Sequence, residues 1–432
     1  MKLSKSASVV LLSGLAIRLG LAPFTGHPGD VALFVTPQRL FYQTGTLDMK
    51  YFPTLPAVYY VQLLFYGPYQ LLRLVGIPDL QYYYHTAMML ESLFLKLPSI
   101  LCDVGIFVVL LSLTRKLIPA TLFFLNPFPI CLSAVWGTYD SMMLFPLFLG
   151  FYFFATRDTK TISGLTFVIS GLLKLFGFVA FALVICETIV RRRFHDELPL
   201  EILGGLAIVV ATLLPVFLFG GYQSYLQVIV YRFIGLSSGT GSTHYGLLGL
   251  LFKVDPSGIL PTIPIAAVLT CAGYSYQSVR AKRYSPLLLV KWALIAAIAF
   301  NLLSLAEPQW LSWLVPLGIL YGSFSGRVGL QYFAYIFGTV MPFLTITLLQ
   351  GTAYMLVGVG TAFSLGYIEG APGGLLLYSA MTTVMIVMFC CYSVSKKLKP
   401  FRLEVVPLTA LLYLQLYFWI VIIGVGRFLG VS

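Results

Sequence analysis

Three isolated charges stand between or within strongly apolar runs: Asp30 in "GHPGDVALF" after the first run, Asp140 in the polar turn "SAVWGTYDSM" and Lys174 in "SGLLKLFGF". A carboxylate in such a place can take a proton from an attacking hydroxyl, and a lysine can hold a phosphate or offset charge on a leaving group. A charge in mid-membrane costs about 2.5–3.5 kcal/mol on insertion scales, and residues that bear it face cavities or mark function. Asp140 has a second role open to it, because Asp is a favoured N-cap ahead of an apolar run. Capping and substrate contact remain equally open at that position.

Other chemistries find no support. His27, His85, His195 and His244 have no metal-ligand spacing, and the six Cys, 102, 131, 186, 271, 390 and 391, lie mostly inside apolar runs and read as small core residues. The chain carries no Walker loop, dinucleotide-binding glycine pattern, HExxH or nucleophile elbow.

The elements that must position these charges are membrane helices. Of the 432 residues 59% are hydrophobic and only 10% charged, and the mean hydropathy is +0.92, against about 25% charged residues in an ordinary globular domain. Apolar runs of roughly 17–25 residues, enough to cross about 30 Å of hydrocarbon, recur from end to end. The net charge of +12 is gathered between those runs: Arg115/Lys116, Arg157/Lys160, Arg191/Arg192/Arg193, Arg280/Lys282/Arg283, Arg327 and Lys396/Lys397/Lys399/Arg402. That distribution is positive-inside topology and speaks against a nucleic-acid partner.

If the N-terminus and the basic clusters share the cytoplasmic side, each interval between them holds an even number of crossings. Spans are then expected near 7–24, an uncleaved anchor, and near 87–114, with a long outer segment, 25–86, between them. Spans near 118–134 and 140–156 place Trp136 to Asp140 at an outer apex. Lys160 to Arg191 is too long for one helix and too short for two full ones, so two half-spans are expected, with Lys174 at their tip. Further spans fall near 202–220, 259–279, 286–304, 310–325, 329–349, 373–392 and 404–425, for an all-α polytopic protein of about 11–14 transmembrane helices. Within the outer segment, 54–75 is aromatic and amphipathic and should lie on the membrane surface.

This topology brings Asp30, Asp140, Lys174, Arg232, His244 and Glu307 to one membrane face. Arg39, Lys50, Arg73, Asp79 and Asp255 are expected there as solvated loop charges. Lys96 and Asp103 share a helix face two turns apart and read as a structural pair with neighbours, and Arg18 as paired in the bundle or reaching a head group. Aromatic runs such as "YFPTLPAVYY" read as an interfacial belt before a sugar platform.

In order and spacing, "FLKLPSILCDVGIFVVLLSLTRK" (94–116), "LNPFPICLSAVWGTYDSMMLFPL" (125–147) and "ISGLLKLFGFVAFALVI" (169–185) resemble the polytopic GT-C glycosyltransferases. "PTLPAVYYVQLL" (53–64) is similar to that family's Pro-containing surface helix, and "PQWLSWLVPL" (308–317) to its P/S-Q-Y/W-x-x-W element. The nearest likeness is to the enzyme adding the first mannose to GPI anchors and to its prokaryotic relatives. It covers roughly 15–325, a catalytic module 1–325, and leaves the helices of 326–432 without a role.

The resemblance implies transfer of a hexose, mannose favoured, from a polyprenyl- or dolichyl-phosphate donor to a lipid-linked glycan, glycolipid or protein. It makes Asp30 the base of an inverting displacement. Lys174 would hold the donor phosphate, supported by Arg232 or His244. Trp136, Tyr139, Asp140, Glu307 and Gln309 would hold sugar rings and hydroxyls. Many relatives carry a D-x-D pair where this chain has Pro28 and Asp30, so a metal-independent reaction without cofactor is expected. A monomer is expected, in a prokaryotic cell membrane because no C-terminal retrieval signal is present, or in the endoplasmic reticulum if eukaryotic, with the site on the outer side. The rival reading is a secondary transporter or lipid flippase, which usually shows two similar halves.

Overall fold

The computed structural model describes residues 3–26, 28–48, 55–80, 88–157, 160–193, 195–233, 259–281, 284–303 and 308–344, and these are helical. The expectations for His244, Glu307, Lys50 and Asp255, and for the spans beyond 344, lie outside the described residues.

Helix α1, Lys5–Leu21, is capped by the Ser4 hydroxyl accepting from the Ala7 N–H at 3.2 Å, and it ends in a 3₁₀ turn, Ala22–Phe24. The outer segment follows as two helices, α2 (Pro28–Thr44) and α3 (Pro56–Leu74). Each opens on a proline, whose missing N–H would be unsatisfied at a helix start in any case. α3 buries Tyr59, Gln62, Tyr66 and Tyr69 while leaving Leu64, Leu71 and Leu74 exposed, the two-faced profile of a surface helix.

Helix α4, Met89–Thr114, runs for 26 residues and is long and apolar enough to cross a membrane, as are Lys5–Phe24 and Leu198–Leu218. Its buried charges have separate partners. Asp103 accepts from Arg18 Nε at 2.8 Å, and Arg18 also donates to the carbonyls of Phe124 at 2.8 Å and Gly14 at 3.2 Å. Lys96 joins neither, so the expected Lys96/Asp103 pair resolves into two tethers, each to a different part of the chain.

At the N-terminal end of α4, Glu91 binds Arg39 through Nε at 2.8 Å and Nη2 at 2.5 Å, and accepts from the Tyr66 hydroxyl. These bonds raise the Arg39 guanidinium above its ordinary value, while burial and then the Glu91 charge raise the Tyr66 phenol. Asp79 caps the same helix end, accepting from the N–H groups of Leu90 at 2.9 Å and Glu91 at 3.2 Å. Arg39 therefore ties α2, and Asp79 the stretch after α3, to the start of α4, a correction to their reading as solvated charges.

The expected single span 118–134 is broken. α5 (Leu117–Phe124) and α6 (Pro127–Ile130), which continues as a π-helical turn, Cys131–Trp136, meet at a 45° bend. Pro127 and Pro129 remove two donors, and the Asn126 side chain caps the restart by accepting from the Phe128 N–H at 2.9 Å.

α7 (Asp140–Thr156) packs between α4 and α8 (Thr161–Leu173), which turns back into α9 (Phe176–Val190). These are the expected half-spans, with Lys174 in the turn. Gly177 lets them close: a Cβ there would lie 2.2 Å from the Gly171 nitrogen. α10 (Leu198–Leu218), α11 (Tyr222–Phe233), α12 (Ile259–Ala281), α13 (Pro286–Leu303), a 3₁₀ helix (Pro308–Trp313), α14 (Leu314–Phe324) and α15 (Val328–Leu344) complete the described chain.

Near the C-terminal end of α9 lies a second polar cluster. Glu187, 1% exposed, accepts from Arg191 Nε at 3.0 Å, from the Tyr274 hydroxyl of α12 at 2.9 Å and from the Ser278 hydroxyl.

Candidate functional site

Asp30 lies in the first turn of α2, and its Oδ2 accepts from Trp136 Nε1 at 2.5 Å. Trp136 is the last residue of the π-helical turn, and Gly137 follows with φ of +89°, a left-handed conformation that reverses the chain at little cost only for glycine. That reversal delivers Tyr139 and Asp140 to the head of α7. Tyr139 occupies the N-cap position, and Asp140 is the first helical residue.

Asp140 is 1% exposed. Its Oδ1 accepts from Lys174 Nζ at 2.6 Å and from the indole of Trp313 at 2.7 Å, while Oδ2 has no hydrogen-bond partner among the described residues. The choice between helix cap and substrate contact thus gains a third answer, counter-ion to Lys174. The Lys174 ammonium also lies 5.2 Å from the ring centres of Tyr139 and Trp313 and 5.7 Å from that of Trp310, within cation–π range. The Trp310 indole N–H is buried without a partner among the described residues.

Tyr139 links the two carboxylates: its ring meets Phe34, one turn after Asp30 on α2, edge-on at 5.9 Å and stands beside Lys174 on the other side. The site therefore offers a half-buried carboxylate, an aromatic wall and a partly buried ammonium. It also holds one carboxylate oxygen and one indole N–H still able to bond a ligand. Such a set can take a proton at one end and meet an anion at the other.

Of the residues expected here, Asp30, Trp136, Tyr139, Asp140 and Lys174 come together. Gln309 sits in the 3₁₀ helix next to Trp310, its carbonyl accepting from the Ser312 hydroxyl at 2.6 Å. Arg232 falls near the end of α11, while His244 and Glu307 lie outside the described residues. Among the described residues no group of three or more His, Cys, Asp or Glu is arranged to hold a metal ion.

No protein-family model and no curated protein matches the chain. Among solved structures, the crystal structure of ArnT from Cupriavidus metallidurans bound to undecaprenyl phosphate is similar to it, with a TM-score of 0.54 and 17% sequence identity over 98% of this chain and 78% of that one. The fold is a polytopic, GT-C-like membrane fold.

The residues missed as site components are Trp310, Trp313 and Phe34. A signal for the tryptophans was present. In a 3₁₀ helix three residues make a turn, so the W-x-x-W spacing of "PQWLSW" sets both indoles on one edge, where they stack at 5.9 Å.

Proposed function

We propose that this protein is a membrane glycosyltransferase that moves a hexose, preferentially mannose, from a polyprenyl- or dolichyl-phosphate donor to a lipid-linked or glycolipid acceptor. The observation that carries the reading is the pairing, across Tyr139, of the Asp30 carboxylate with the ring-lined Lys174 ammonium. It occurs in a fold shared with a protein that binds undecaprenyl phosphate.

In this mechanism Lys174 meets the donor phosphate, offsetting the charge that develops on it as the bond from sugar C1 to the phosphate oxygen breaks. The electron pair leaves with the polyprenyl phosphate. The acceptor oxygen bonds C1 from the opposite face while Asp30 takes its proton, and the anomeric configuration inverts. The Trp136 indole fixes the Asp30 carboxylate so that one oxygen is committed to it. Asp140 Oδ2, the Trp310 N–H, Tyr139 and Gln309 are the groups able to bind sugar hydroxyls. Asp140 is engaged by Lys174 and Trp313, which supports a reaction without a metal bridged between the two carboxylates.

The test is purified protein offered radiolabelled polyprenyl-phosphate mannose and glucose with candidate lipid-linked acceptors. Transfer from the mannosyl donor, lost in a folded Asp30→Asn variant, is the expected result. Uptake of substrate into vesicles without turnover of either donor would replace this reading with a transporter.

A further inference from the structure

Lys96 is a buried ammonium, 2% exposed, that the chemistry above does not use, and it forms no ion pair among the described residues. Its Nζ donates instead to backbone carbonyls: Ala22 at 2.8 Å, Thr25, and Val135 at 3.3 Å, with the Thr25 hydroxyl at 3.4 Å. Carbonyls just past a helix end have no intrahelical donor and carry the negative end of the helix dipole, so they suit a cation.

The identity of those carbonyls matters. Ala22 and Thr25 belong to the backbone leaving α1 for α2, which bears Asp30, and Val135 directly precedes Trp136. One cation therefore joins the two segments that meet again where Trp136 Nε1 donates to Asp30 Oδ2. The Thr25 hydroxyl, within reach of Leu21 O at 2.8 Å and Ala134 O at 3.1 Å, spans the same gap. The reversal beyond Trp136 is shaped to the lysine, since a Cβ on Gly137 would lie 3.0 Å from Lys96 Cε. Anchorage of α1 does not depend on Lys96, because Arg18 already ties that helix to α4 and α5.

We propose that Lys96 is a positioning residue for the base: it sets the Trp136–Asp30 contact and through it the aim of the Asp30 carboxylate. The catalytic part of this inference rests on the glycosyltransferase reading; the structural coupling does not.

The experiment uses full-length protein labelled with ¹⁵N-tryptophan, whose five tryptophans give five indole N–H signals. The Trp136 signal is identified by its loss in Trp136→Phe, and its position without an acceptor at residue 30 is read in Asp30→Ala. In Lys96→Met the Trp136 signal should move to that position while the Trp313 signal, which reports the contact with Asp140, stays in place. Turnover should fall about 100-fold with donor KM changed by less than about twofold, as for a misaimed group rather than a lost binding contact. If Lys96→Met does not fold, Lys96→Gln, neutral and shorter but still able to donate, decides: the Trp136 signal should move part of the way, with turnover down about tenfold.

An unmoved Trp136 signal in either folded variant, or joint movement of the Trp136 and Trp313 signals, overturns the proposal. Retained transfer in Asp30→Asn would instead strike the glycosyltransferase reading and leave the indole measurement to judge Lys96 by itself.

Discussion

Asp140 and Glu187 are both buried carboxylates paired with a cation, near opposite ends of the α8–α9 hairpin, and they are satisfied very differently. Glu187 has Arg191 on one oxygen and the Tyr274 and Ser278 hydroxyls on the other. Asp140 concentrates Lys174 and Trp313 on one oxygen and, among the described residues, leaves the other without a partner, as it does the Trp310 N–H beside the same cation. An unmade hydrogen bond at a buried polar atom costs about 1–3 kcal/mol. The first cluster is completed by the protein's own groups, while the second keeps polar atoms with which a ligand could bond.

Lys174→Met should break this contrast most severely. It leaves Asp140 buried without its counter-ion, for which about 3–5 kcal/mol of stability is expected to be lost, and donor binding should vanish. Adding Asp140→Asn should recover most of the thermal stability and none of the transfer, which a melting scan beside the radiolabel assay would separate. Glu187→Gln is next, with a loss of about 3 kcal/mol from a broken buried pair and donor KM unchanged; a raised KM would mean that the inner cluster is more than a clamp. Trp313→Phe keeps the ring and removes the N–H, at a cost of about 1.5–3 kcal/mol for a bond to a charged group, with weakened donor binding as well. Smallest is Tyr274→Phe, about 1 kcal/mol, since Glu187 retains Arg191 and Ser278, and activity should be unaffected.

The difference between these clusters explains what the sequence could reveal. Hydropathy and the spacing of basic residues mark where helices begin and end, so the amphipathic helix within 54–75, the half-span hairpin around Lys174 and the chain reversal at Trp136 to Asp140 were all legible. Partnerships inside the bundle were not. Asp140 meets Lys174 from the turn between α8 and α9, and Arg18 reaches Asp103 from the first span, whereas hydropathy records depth in the membrane and not rotation about a helix axis. The two-turn spacing of Lys96 and Asp103 did place them on one face, yet Asp103 takes Arg18 within α1 while Lys96 takes the carbonyls of Ala22 and Thr25 beyond that helix and of Val135. The 45° break after Leu125 was signalled by Asn126 and its two following prolines and masked by an apolar run that reads as continuous.

The hairpin has a consequence for depth. Its legs, 13 and 15 residues long, measure about 20 and 22 Å at 1.5 Å per residue, whereas the hydrocarbon slab is about 30 Å thick. With its base at one boundary, as the basic residues there lead one to expect, such a hairpin would stop about 10 Å short of the other and carry Lys174 below the level of the lipid head groups. A ligand with a polar head and a long hydrocarbon tail can reach that lysine by sinking sideways out of the leaflet, its tail never leaving oil. A water-soluble sugar phosphate would have to descend the same distance with nothing beneath it to be gained.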